Sequence, residues 1–252
     1  MSNNVNNHTD QPSSSSSGPF DLLLFDLDGT LYDHACGYED HIHANIFKFM
    51  VEAKGGKFDA IHSIEQAQQV WTPIFAKYNL TKRGLMGEGY EFDGTAYDTF
   101  IRKGAAQFIQ QPDPELRSFL QSLPQRKIIF TNAPETSAHE ILQLLGVADQ
   151  FEAVLGSDFM GNDVCKPERA AFDKVLEFLQ PPVVVPPHRI CYFEDSFKNL
   201  LAGKELGMAT VFVTSATLHK EGRTQEDLAQ FDAVVERKVG ASLRESMPRL
   251  WN

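Results

Sequence analysis

The sequence predicts a doubly wound α/β fold on a parallel sheet, with a helical segment inserted after the first strand. Three observations carry this reading. Short, continuously apolar runs recur at strand length, helical patterns lie between them, and one long stretch of the first half has no such run. An uninterrupted apolar run suits a strand covered on both faces. Strands alternating with helices suit right-handed crossovers into a parallel sheet.

Residues 1–18 are rich in Asn and Ser, with an unbroken run from Ser13 to Ser17. So little apolar surface cannot offset the entropy of ordering, and a disordered tail is expected. The first strand is Leu22-Leu-Leu-Phe25. From 34 to 111 the pattern is helical only, at His41–Ala53, Ile64–Lys77 and Tyr97–Ile109. This reads as an inserted helical unit, leaving 19–33 and 112–252 as the α/β core. Pro112-Asp-Pro114-Glu marks the return to the core, since Pro suits the first turn of a helix. Further strands are expected at Lys127–Phe130, Ala153–Leu155, Arg189–Phe193, Thr210–Val213 and Ala233–Glu236. Helices are expected at Glu135–Leu145, Glu168–Leu179 and Lys198–Leu206.

The composition narrows the function classes. A chain of 252 residues, 42% hydrophobic and 23% charged, can bury its own core without disulfides. Its net charge of −11 argues against nucleic acid or an anionic membrane as partner, because both need basic patches. An anionic substrate would have to be drawn in by a local cation, a metal or a placed lysine. Three cysteines, Cys36, Cys165 and Cys191, are an odd number without a C-x-x-C pair and read as reduced thiols. No membrane-length apolar stretch is present, and the polar start is unlike a secretory signal. A cytoplasmic protein is expected, with the nucleus also accessible to it.

The chemistry gathers at the strand ends. Asp26 and Asp28 close the first strand two residues apart, with Gly29 supplying a tight turn. Ligands of a parallel sheet collect at its carboxyl edge, and two acids at i and i+2 can reach one site. The same four residues also make an ordinary surface turn. Thr131 and Asn132 end a second strand just before a helix, where a hydroxyl and free backbone N–H groups can cap the helix or cradle phosphate. Glu194 and Asp195 end a third, and adjacent buried acids imply a cation. Lys166, between Cys165 and Pro167, offers one from a stiff loop.

In this order the four signals resemble the haloacid dehalogenase superfamily: D-x-D-x-T, a strand ending in Ser or Thr, a Lys, and a strand ending in acids. The resemblance implies a Rossmann-like core with a helical cap at 34–111. It implies Asp26 as nucleophile and Asp28 as general acid/base, protonated and turned away from a metal that its carbonyl serves. Thr131, Asn132 and Lys166 are implied as phosphoryl ligands, and Asp26, Asp28, Asp195 and Glu194 as the Mg2+ site. A hard-oxygen set suits Mg2+. Gly87-Glu-Gly-Tyr-Glu-Phe-Asp93, Leu123-Pro-Gln-Arg-Lys-Ile-Ile-Phe-Thr-Asn-Ala133 and Phe193-Glu-Asp-Ser with Asn199 are similar to the pyrimidine 5'-nucleotidase branch. That implies UMP or CMP as substrate, the small phosphomonoester partner. Sugar-phosphate or phosphoglycolate phosphatase and phosphomutase are the alternatives within the fold, and a non-catalytic regulatory protein the alternative outside it. Monomer and homodimer fit equally. Tyr38, Phe92, Tyr97 and Phe100 could stack on a base or fill the cap's own core. His34 and Tyr32 could line the entrance. His41 and His43 face different ways on a helix and are set aside as metal ligands.

Overall fold

Leu22–Phe25 forms β1, four apolar side chains all fully buried, as an element covered on both faces requires. The computed structural model describes residues 18–161, 163–179, 184–214 and 224–251, so nearly all of the Ser-rich segment read as a tail lies outside the described residues. Next come α1 (Tyr38–Glu52), α2 (Ile64–Tyr78), α3 (Thr81–Gly87) and α4 (Gly94–Arg102), with no strand among the described residues before Arg126. Then follow α5 (Pro114–Gln121), β2 (Arg126–Phe130), α6 (Glu135–Leu144), β3 (Ala153–Leu155), α7 (Ser157–Met160) and α8 (Arg169–Phe178). The chain continues through β4 (Ile190–Glu194), α9 (Phe197–Glu205), β5 (Ala209–Thr214), α10 (Gln225–Ala229), β6 (Ala233–Glu236) and α11 (Leu243–Ser246).

The six strands pair in parallel in the order β3-β2-β1-β4-β5-β6, the doubly wound core that the apolar runs predict. Strand order reverses at β1, which lies between β2 and β4. Phe25 sits opposite both Ile129 and Phe193, so three strand ends finish side by side. The crevice over such a reversal is where ligands of open α/β sheets bind.

Alternate residues feed opposite faces, as period-two geometry demands. Leu23, Phe25, Ile129, Cys191 and Phe193 join Ala138, Ile141 and Leu142 of α6 on one side. Leu22, Leu24, Ile128, Phe130 and Tyr192 meet Ala171, Phe172 and Val175 of α8 and Leu200 of α9 on the other. The first core runs on through Leu27, Leu31 and Tyr38 into the inserted helices.

Two helices depart from the sequence pattern. The helix expected over Tyr97–Ile109 stops at Arg102, because Gly104 turns the chain with φ +89°. α3 was not visible as an amphipathic run. It holds Gly84, where a β-carbon would strike the Ile74 side chain of α2, so the helix is built for close approach rather than for propensity.

Candidate active site

Asp26 follows β1 directly, its N–H donating to Phe193 O at 2.9 Å as if the ladder continued one residue further. Its side chain is buried and accepts from Lys166 Nζ at 2.7 Å. Lys166 reaches under the sheet edge from the loop before α8 and is itself 1% exposed. The same ammonium donates to Glu194 Oε2 at 2.7 Å and to Phe130 O at 2.8 Å, so its three protons meet three acceptors. Asn132 fixes that loop: its Oδ1 accepts from Lys166 N at 2.9 Å and its Nδ2 donates to Lys166 O at 3.2 Å.

Glu194 is fully engaged. Oε2 also accepts from the buried Tyr192 hydroxyl, and Oε1 accepts from Ser196 N at 3.0 Å. Thr131, buried at the end of β2, accepts from Ala133 N at 3.1 Å, which leaves its hydroxyl proton free to donate. Asp195 accepts from His34 Nε2 at 2.8 Å, and the other ring nitrogen of His34 pairs with Glu39. With both nitrogens facing carboxylates the ring is an imidazolium. Burial alone would lower its pKa, but the hydrogen bonds to Asp195 and Glu39 push it up to about 11.

Gly29 makes this closeness feasible. It sits at φ +72°, and a β-carbon there would fall on His34 Nε2 and 2.6 Å from Asp195 Oδ2. The glycine of D-x-D-G thus serves the turn and the packing against the third strand end at once.

Oxygens of Asp26, Glu194 and Asp195 lie within 4.8 Å of one another. Burial, then the Glu194 charge, pushes the Asp26 carboxyl well above its ordinary range, with Lys166 pulling the other way. Burial first, and then Glu194, raises Asp195 to about 7 against the pull of His34. Lys166 and a His34 ring shared with Glu39 do not offset three carboxylates, and a hard-oxygen set of this kind fits a divalent cation such as Mg2+.

Asp28 lies apart from that cluster. Its Oδ1 accepts from the Tyr32 hydroxyl at 2.5 Å and from Arg102 Nη1 at 3.3 Å, and its Oδ2 accepts from Arg102 Nη2 at 2.5 Å. Its side chain is turned away from the acids. Burial favours the neutral form, yet the Arg102 charge and fork, with Tyr32, hold the carboxyl below its ordinary range. Arg102 is the residue that sequence reasoning missed. It is the last residue of an amphipathic helix, 74 positions from Asp28, and no local pattern marks it.

A cleft of about 550 Å³ opens over these groups, between the sheet edge and the inserted helices. From the core it takes Asp26, Thr131, Lys166 and Asp195, and from the insertion Phe75, Tyr97 and Arg102 among others. The aromatics considered as base-stacking groups mostly pack on one another. Phe49 makes edge contacts with Phe58, Phe92, Tyr97 and Phe100, and Tyr38 is buried with its hydroxyl on Arg102 O at 2.6 Å. His41 bonds to Lys103 O and Asn45, away from the acids. All three cysteines are free thiols.

A strand-end nucleophile candidate, a buried lysine and a trio of carboxylates at the switch point of a doubly wound sheet define a hydrolase class. The haloacid dehalogenase-like hydrolase model matches residues 20–207, and the chain belongs to that family. Among curated relatives it is 26% identical over 204 residues to a phosphoglycolate phosphatase of Psychrobacter arcticus, covering 75% of this chain and 81% of that one. It is 24% identical over 164 residues to Phosphate metabolism protein 8 of Saccharomyces cerevisiae, where the match spans 60% of this chain and only 49% of the yeast protein. Among solved structures, a putative beta-phosphoglucomutase from Thermotoga maritima superposes with a TM-score of 0.51 at 18% identity, covering 86% of this chain and 95% of that one, a likeness of fold. Among the described residues no helix is long and apolar enough to cross a membrane.

Proposed function

We propose that this protein is a Mg2+-dependent phosphatase that hydrolyses small phosphomonoesters through an aspartyl-phosphate on Asp26. The observation that carries the reading is the buried Asp26–Lys166–Glu194 chain beside Asp195, a carboxylate at a strand end held against one cation, with three acids close enough to share another. Asp26, Glu194 and Asp195 would hold the metal, with the Asp28 carbonyl beside them. When bound, it screens the repulsion between the carboxylate and the phosphate dianion.

The chain's own groups then divide the work. Asp26 attacks phosphorus, and the bond to the leaving oxygen breaks as that oxygen takes a proton from Asp28. Asp28, now ionised, takes a proton from the water that cleaves the aspartyl-phosphate, which releases inorganic phosphate and restores both acids. The Thr131 hydroxyl, the Asn132 N–H and Lys166 serve the phosphoryl oxygens as charge develops. The inserted helices act as a cap that excludes water during the first transfer.

For the substrate, phosphoglycolate or a sugar phosphate stands ahead of UMP and CMP. Of the four aromatics that a pyrimidine could use, Tyr38, Phe92 and Phe100 lie outside the cleft lining and only Tyr97 reaches it, and a relative named as a phosphoglycolate phosphatase aligns over 75% of the chain. Turnover of phosphoglycolate, glucose 6-phosphate, UMP and CMP with MgCl2 and with EDTA tests this. Metal-dependent release of phosphate is expected, and Asp26→Asn should lose at least roughly a thousandfold in kcat while still folding. A folded wild-type protein that hydrolyses none of these esters with Mg2+ would remove the reading.

A further inference from the structure

We infer that Arg102 selects the substrate: it recognises a second anionic group on the leaving alcohol and exchanges Asp28 for that anion when the substrate binds. The inference rests on the phosphatase reading above. It starts from an incompatibility in the site. Asp28 has to meet the leaving-group oxygen, yet Arg102 and Tyr32 already occupy both of its carboxylate oxygens. To carry a proton to the leaving oxygen, Asp28 must give up a hydrogen bond from the Arg102 fork, and a guanidinium that is mostly buried, with a side chain 12% exposed, then needs another anion to move to.

The surroundings fix the helix end through its backbone and, among the described residues, leave only Asp28 on the fork. The Arg102 carbonyl is held by the Tyr38 hydroxyl at 2.6 Å, and the Ile101 carbonyl by Asn45 Nδ2 at 3.1 Å. These bonds anchor the end of α4 by its backbone, so the side chain can swing without the helix. The neighbouring cation of the insertion is already committed, since Lys82 donates to Asp98 Oδ2 at 2.5 Å and both side chains are largely buried. Arg102 is therefore the insertion's cation facing the proton-transfer acid. A planar fork binds carboxylate or phosphoryl oxygens in pairs. On a two-carbon hydroxy acid ester the carboxylate is one carbon removed from the oxygen that Asp28 serves. An anion there is placed to draw Arg102 away and to free Asp28 in the same movement.

The test is a substrate series of matched size: ethyl phosphate with a neutral end, phosphoglycolate with a carboxylate, and ethane-1,2-diol bisphosphate with a second phosphoryl. Steady-state kcat and KM are read with Mg2+ for wild type, Arg102→Ala and Arg102→Lys, beside thermal melts. Wild type should favour one or both anionic esters over ethyl phosphate. Arg102→Ala should cut that preference in kcat/KM by about tenfold to a hundredfold, mainly through KM, as loss of a charged hydrogen-bonding pair does. Arg102→Lys, which keeps the charge and loses the fork, should fall between, and it carries the test alone if the alanine variant does not fold. The anionic ester that loses more identifies the group that Arg102 reads. Equal changes for all three esters would reduce Arg102 to a clasp between insertion and core and overturn the inference. So would a wild type that turns over ethyl phosphate as well as the anionic esters, with the phosphatase reading intact. No turnover of any ester would remove both.

Discussion

Replacing Lys166 by Met keeps the length of the side chain and deletes the one ammonium between Asp26 and Glu194. All three side chains are buried, at 1%, 8% and 1% exposure for Lys166, Asp26 and Glu194, so solvent does little to screen what is left. Breaking a buried ion pair by removing one partner costs about 3–5 kcal/mol. At about 2–4 °C per kcal/mol for a chain of this size, the melting midpoint in EDTA at neutral pH should drop by roughly 6–20 °C. Differential scanning calorimetry measures it directly. Two controls identify electrostatics as the cause. Saturating Mg2+ should recover part of the loss by supplying another cation, and adding Glu194→Gln to Lys166→Met should recover part by removing a charge. A midpoint within about 2 °C of wild type, or no recovery in the double variant, would refute the claim that Lys166 offsets two buried carboxyl groups there.

Two further outcomes are expected. Gly29→Ala places a side chain at φ +72° against His34 and Asp195; it should cost about 1–3 kcal/mol and weaken Mg2+ binding, and calorimetry with a Mg2+ titration that shows neither would contradict the close-approach argument. Asp195 is raised to about 7 by burial first and Glu194 second, so its proton stabilises the folded state below the ordinary carboxylate range, and that contribution is lost as pH rises through about 7. In EDTA the midpoint should therefore fall between about pH 5 and about pH 8, while Mg2+ affinity rises over the same window because the ionised form is the ligand. Equal Mg2+ affinity at both ends would count against Asp195 as a ligand.

Much of the core was legible in the sequence for a local reason. β1, β2 and β4 are buried on both faces and so appear as unbroken apolar runs, and the polar residues that end them stand out. Asp26, Thr131, Lys166, Glu194 and Asp195 line one cleft. What stayed hidden depends on pairs distant along the chain. Arg102 reads as an ordinary charge at a helix end, and its meaning comes only from Asp28. His34 and Tyr32 drew notice only as residues that could line an entrance, and nothing local marked them as the partners of Asp195 and Asp28. Asp28 was expected to be protonated because the first transfer needs a proton there; Arg102, a neighbour the motif does not contain, favours the ionised form instead. α3 escaped because Gly84 serves packing against Ile74 and lowers the helical signal that a sequence reading relies on.

The order of the strands has a consequence for how the chain acquires its fold. β1 pairs only with β2 and β4, so Leu22 to Phe25 find their neighbours about a hundred residues later, at 126–129, and again at 190–193. Closing a loop of that length costs on the order of 4 kcal/mol before any strand contact rewards it. The inserted helices, by contrast, meet their neighbours locally, α1 with α2 and α4, and α2 with α3. During synthesis β1 emerges well before either partner, an apolar segment that waits for β2 on one edge and longer still for β4 on the other. The central position that gives Asp26 its site also makes its strand the part of the chain most exposed to misassociation while the protein is being made.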